Sequence, residues 1–355
     1  MTTSDQSDNF PLDEARELVK DLLTPNPAIY WFDFLISVTI GWAAFVATLG
    51  LPAFSIEQSA AFLISGFALY RAVLFTHELT HLKRGTFGLF RLVWNLICGF
   101  PLMVPSFTYH GVHNDHHKRD IYGTTRDGEY VPFATNKPYK IVTYVLLASI
   151  LPLFFATRFL LLTPLGWLSG NLRQLIWQRA SSLTIDLTYH RPGLARRDDR
   201  TWRWQELGAF LYGWAALLLV VFGVVPTKML LLWYLVAFLI FTLNSFRTLA
   251  AHAYRNPGDR FMTVPEQFLD SVNVPGNNFL TPLWAPVGLR YHATHHLFPG
   301  IPYHSLGLAH HRLVVKLSDN RLYLQATRMS LWHALRTLWR DAASNPARVS
   351  APTRR

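Results

Sequence analysis

Four stretches of this sequence are longer and more apolar than a water-soluble fold places on one helix. A hydrocarbon core needs about 20 apolar residues in a row. Residues 34–56 lie between Asp33 and Glu57 without a charge. Residues 58–76 carry only Arg71, near enough to the end for its guanidinium to snorkel to the interface. Residues 207–227 lie between Glu206 and Lys228, and residues 229–246 between Lys228 and Arg247. The four predict an all-α integral membrane protein with four transmembrane helices in two hairpins. Composition agrees, because only 15% of the 355 residues are charged, against about a quarter in soluble proteins. The 12 Trp, 14 Tyr and 25 Phe exclude a disordered chain. The single cysteine, Cys98, excludes a disulfide scaffold.

The charges orient these spans. Lys and Arg number 33 against 22 Asp and Glu, a formal net charge of +11. The turn between the first two spans has no Lys or Arg, and the turn between the last two has only Lys228. Nearly all the other basic residues fall in the N-terminal arm, the middle loop and the C-terminal third. The positive-inside rule makes those regions, and both termini, cytoplasmic. No basic segment followed by an apolar core and cleavage site opens the chain, so residues 1–28 read as an arm rather than a signal peptide. Residues 29–341 read as one membrane catalytic domain, and residues 342–355 as a basic, disordered tail.

Two further apolar stretches are too broken to cross. Residues 92–109 contain Pro101 and Pro105; residues 141–171 contain Pro152, Arg158, Pro164, Gly166 and Gly170. Both are expected to be interfacial or re-entrant. The stripe at residues 321–340 alternates apolar and basic side chains at helical spacing. It suits a helix lying on the membrane or one packed on the core. The positive charge has no aromatic–basic platform to support a nucleic-acid role.

Histidine is the other marked feature. HELTH supplies His77 and His81, HNDHH supplies His113, His116 and His117, and HATHH supplies His292, His295 and His296. His252 follows the fourth span, and all nine fall on the cytoplasmic side of the topology drawn from charge alone. One HxxHH is expected by chance in roughly 3% of chains with this histidine content; two are expected in well under 0.1%. On a helix, His77 and His81 share a face. Adjacent histidines in HxxHH point about 100° apart, as they would to serve two neighbouring ions. Nine imidazoles are too many for one ion. Neutral imidazole suits Fe, Zn, Cu or Ni, and the lack of a cysteine pair removes thiolate zinc and Fe–S sites. An all-histidine two-metal site beside membrane helices points to iron and oxygen chemistry.

HELTH is also the HExxH of zinc metalloproteases, with Glu78 as general base. That reading leaves both HxxHH boxes without a role. In the two-metal reading Glu78 is expected to orient a ligand histidine, as Asp115 and His110 could. Asp120, Glu129 and Asp270 could hold ring N–H groups or be solvated. His304, His310 and His311 read as hydrogen-bonding or interfacial residues, and His190 and His333 as surface residues.

The boxes, their order and their placement resemble the membrane-bound fatty acid desaturase/hydroxylase superfamily, over about residues 25–320. The strings HNDHHKRDIYGTTRDGEYVP, NSFRTLAAHAYRNPGD and LRYHATHHLFPGIPYH are similar to its bacterial branch. The resemblance implies a four-span stalk, a cytoplasmic helical cap and a non-haem di-iron centre that uses O₂. It implies His77, His81, His113, His116, His117, His292, His295 and His296 as box ligands, and His252 as the extra one. It implies a fatty acid or fatty acyl substrate at the inner face of a bacterial inner membrane. The chain has no flavin, haem or Fe–S motif, so electrons are expected from a ferredoxin, rubredoxin or cytochrome. The leading expectation is O₂-dependent desaturation. Hydroxylation and decarboxylation to a terminal alkene are the alternatives in the superfamily. The first box has three intervening residues and Thr248 stands four before His252. The acyl-CoA enzymes of animals and yeast have four intervening residues and Asn, which sets this chain apart from them.

Overall fold

The computed structural model describes residues 10–82, 87–193, 196–258 and 260–344. Residues 1–9 of the expected arm and 345–355 of the expected tail lie outside them. Among the described residues the chain is helical and forms no strand, only isolated bridges such as His252 with Ser271. It divides into two compact units.

The unit of residues 26–114 and 146–244 carries most of the apolar helix. Helix α1, Pro27–Gly50, starts where Asn26 accepts a hydrogen bond from the Ala28 N–H (3.0 Å) and Pro27 pre-sets the first turn. Helix α2, Ile56–His81, is capped by Ser55, which accepts from the Gln58 N–H at 3.1 Å. The two pack along their length, and Gly41 lets them approach: a Cβ there would stand 2.7 Å from Leu69. Arg71 does not snorkel. It forms a two-pronged pair with Asp33, which lies inside α1, so the first helix begins earlier than the apolar run.

Helix α3, Leu151–Leu168, lies in the residues 141–171 that were read as interfacial or re-entrant, and adds a fifth candidate span to the four expected. It is long and apolar enough to cross a membrane, as are α1, α2, α4 (Arg196–Val221, apolar from Thr201) and α5 (Lys228–Ala251). Pro152 and Pro164 sit at first-turn positions, where a missing N–H costs nothing, and a π turn at Arg158–Leu162 joins the two helical pieces. Arg158, 1% exposed, is met by Glu206, Ser181 and Thr163, so its charge is neutralised inside the protein. Residues 92–109 keep their break: a short helix from Gly88 ends at Gly99, ahead of Pro101.

The other unit comprises residues 1–25, 115–145 and 245–355. Helix Leu12–Val19 of the arm is packed, with Ala15, Val19 and Leu22 in one core with Leu306, Ala309 and Leu313 of helix Tyr303–Lys316. Arg312 binds Asp21 across that contact, and Glu14 binds Ser318. The third histidine box lies on helix α6, His292–Leu297, after a turn in which Gly288 takes φ +68°. A Cβ at Gly288 would stand 2.9 Å from the Tyr303 carbonyl, so the turn requires glycine. Asn273 fixes α6 by accepting from the N–H (3.0 Å) and hydroxyl (3.2 Å) of Thr294.

Candidate metal centre

The first box needs no special loop. Helix α2 continues past its apolar part to His81, so His77 and His81 lie one turn apart with ring centroids at 4.9 Å. His113, from the second box, completes a trio in the same unit. Its ring is 4.5 Å from that of His77, and its Nε2 is 2.9 Å from Nε2 of His81. Tyr109, one turn earlier, places its hydroxyl 2.9 Å from Nδ1 of His113. Glu78 is buried, accepts the Tyr30 hydroxyl at 2.5 Å and has its other oxygen 3.4 Å from Nδ1 of His77. It stands beside a candidate ligand, as expected.

In the other unit the adjacent histidines separate as the sequence predicts. His116 and His296 join His252 and His292 in a quartet whose candidate ligand atoms all lie within 4.8 Å of one another. Their Nε2 atoms are 2.9 Å apart for His252–His292, 3.1 Å for His292–His296 and 3.3 Å for His116–His252. The neighbours His117 and His295 turn to each other instead, Nε2 to Nε2 at 3.1 Å.

These distances test the fit of a metal. An imidazole–metal bond is about 2.1 Å long. Two such donors therefore stand about 3.0 Å apart at a right angle and about 3.4 Å apart at the tetrahedral angle. Three pairs of the quartet match that spacing, and a donor set with no thiol or carboxylate suits a first-row transition ion.

The Nδ1 side of the quartet fixes which nitrogen faces inward. His116 Nδ1 is 2.8 Å from the wholly buried Asp127 carboxylate, which also accepts from the Gly123 N–H. His252 Nδ1 is 2.9 Å from the Tyr122 hydroxyl, and Tyr122 donates to Asp270 at 3.1 Å. A proton on Nδ1 leaves the Nε2 lone pair for an ion. Burial holds His252 and His296 well below the usual histidine range, with neighbouring imidazoles adding to it, so both are neutral near pH 7. Burial works against a charge on His116 too, but the Asp127 carboxylate outweighs it and the net shift is upward.

The other named residues are placed as follows. Asp115 binds Lys118 (2.6 Å), Asp120 meets Arg126 (3.1 Å), and the His110 ring lies 5.7 Å from that of Trp202. Asp270 joins the ligand network through Tyr122. His310 hydrogen-bonds Tyr323 and His304 bonds Ser305, while His190 and His333 are exposed, as read. Sequence reasoning missed Asp127, Tyr122 and Tyr109. Tyr109 had a signal, since it shares the helical spacing of His113. Asp127 had none, because a loop delivers it from 11 residues beyond His116.

The family model described as fatty acid desaturase matches residues 58–328, which include all nine histidines. A protein of Caulobacter vibrioides (strain NA1000 / CB15N) described as ceramide hydroxylase is 42% identical over 327 residues, 92% of each chain. The HELTH segment thus lies inside a desaturase-family match rather than standing alone as a protease signature. With three histidine boxes, a matched imidazole quartet and this coverage, the chain belongs to the fatty acid desaturase family of membrane oxidoreductases.

Proposed function

We propose that this protein is an O₂-dependent, non-haem di-iron hydroxylase acting on the hydrocarbon chain of a ceramide-like lipid. The observation that carries hydroxylation over desaturation is the near end-to-end similarity to the protein described as ceramide hydroxylase. Nothing in that comparison favours decarboxylation. His116, His252, His292 and His296 would hold one iron. The remaining box histidines, His77, His81, His113, His117 and His295, are iron ligands as the resemblance implies. When bound, the two irons supply the O₂ activation that removes hydrogen from an unactivated carbon, which no side chain can do by acid–base means.

The protein residues have separate tasks. Asp127 and the Tyr122–Asp270 pair keep Nδ1 protonated and Nε2 inward on His116 and His252. Burial of His77, His113, His116, His252, His292 and His295 keeps bulk water from the donors. A stalk of the apolar helices, the cytoplasmic face of a bacterial inner membrane and an external donor such as a ferredoxin, rubredoxin or cytochrome complete the reading. Its substrate would come from the bilayer in which the apolar helices sit.

Expression of the full chain in a host lacking it, with lipid mass spectrometry, tests the proposal. Sphingolipids gaining one oxygen are expected, with the new hydroxyl lost in His292→Ala. Lipids losing two hydrogens would return the assignment to desaturation, and volatile 1-alkenes to decarboxylation. Zinc in place of iron in the purified protein would overturn the di-iron reading.

A further inference from the structure

The stripe read at residues 321–340 ends in helix α7, Leu331–Ser344, which has two unlike faces. Ala334, Leu338 and Ala342, at i, i+4 and i+8, are buried, and Ala334 packs with Ala250, Val272 and Val274. At about 100° per residue, the centre of a second face lies roughly 130° away. It carries Trp332, Leu335, Arg336, Trp339 and Arg340 around a groove of about 380 Å³. Trp332 is 68% exposed and Trp339 45% exposed; Arg336 and Arg340 are exposed between them. The acidic residue of the helix, Asp341, is turned aside and paired with Arg255. No carboxylate meets Arg336 or Arg340 among the described residues.

We propose that this face of α7 is a docking surface for an anionic lipid headgroup layer. Exposed indoles flanked by arginines are the side-chain mixture of the membrane–water boundary: the ring sits at headgroup level and the guanidinium meets phosphate. Charge complementarity selects anionic over zwitterionic lipid. A soluble acidic partner would use the arginines, but a dissociable donor docks through small, wet contacts and leaves two indoles without a purpose. Since the chain also carries membrane-spanning helices, lipid is always at hand. The core face and the lipid face coexist on one helix, so the two sequence readings of the stripe are not exclusive.

The test uses the full-length protein in nanodiscs containing acyl-brominated phosphatidylglycerol or brominated phosphatidylcholine. The fluorescence lost in the W332F/W339F variant isolates the two indoles. That component is expected to be quenched in the anionic discs and little in the zwitterionic ones. R336Q/R340Q is expected to weaken this attachment by about fivefold per arginine, whereas R336K/R340K retains it. Unchanged thermal unfolding of the variants checks that these exposed positions leave the fold intact. Indoles unquenched at every phosphatidylglycerol content would overturn the proposal. So would equal quenching in both lipids, or protection of α7 from hydrogen exchange only after an acidic ferredoxin or a second copy of the chain binds.

Discussion

The two units use most of their paired carboxylates differently. In the unit that holds the imidazole quartet, Asp127 and Asp270 are aimed at the donor set, one directly on His116 and one through Tyr122 on His252. In the unit of apolar helices, Asp33 and Glu206 neutralise Arg71, Arg158 and Arg173, and the trio's His113 is backed by a neutral tyrosine. The difference follows from the surroundings. An arginine in a membrane-spanning segment is costly unless paired, so the carboxylates there preserve the helices. In the unit of the quartet, acids hold ligand protons. In the apolar unit charge serves the scaffold, with Glu78 beside His77 as the exception, and in the other unit it serves the donors.

Loss of a ligand should have the largest effect. His292→Ala removes the imidazole nearest to two others of the quartet, and product is expected to fall by more than about a hundredfold. Elemental analysis should show iron lost with it; full iron content would break the division into donors and scaffold.

Glu206→Gln comes next, on stability. It removes the negative charge that meets Arg158, which is 1% exposed. A loss of about 3–5 kcal/mol is expected, read as a lower unfolding temperature with iron per folded chain unchanged. Iron loss without loss of stability would reverse the role assigned to that carboxylate.

Asp127→Asn and Tyr109→Phe compare the two kinds of ligand support. Removing the carboxylate should weaken iron binding or turnover by about 10–100-fold, and removing the hydroxyl by less. Equal effects would show that the charge on Asp127 adds nothing to its hydrogen bond.

The smallest effect is a pH dependence at a histidine outside the donor set. Burial, with Arg290 beside it, lowers His310 from 6.5 to about 4. Between those values the unfolded chain binds a proton that the folded chain refuses, so stability falls on acidification through that window and is fully present above it. The slope is at most about 1.4 kcal/mol per pH unit. Thermal unfolding across pH 4–7 would read it, and His310→Gln should flatten the profile.

Much of this was legible beforehand. Four apolar runs became helices, and the opposed directions of His116 and His117, and of His295 and His296, follow from helical spacing alone. The runs did not mark the helix ends: α1 and α2 extend into Asp33 and His81, because a helix continues wherever its polar residues find partners. The continuous helical length of Leu151–Leu168 was not legible, because prolines and an arginine look like breaks. Their harmlessness depends on first-turn placement and on Glu206, 48 residues away. The exposed face of α7 was ambiguous for the same reason, since periodicity gives an apolar stripe but not what covers it.

The sequence by itself determined the apolar helical class, the family and the nine imidazoles, because these rest on run length, residue type and local period. The tertiary structure decided which imidazoles share an ion-sized space within each unit and which acids hold their protons. It also decided which arginines are neutralised. Those depend on partners brought together from distant parts of the chain, and no local pattern records them.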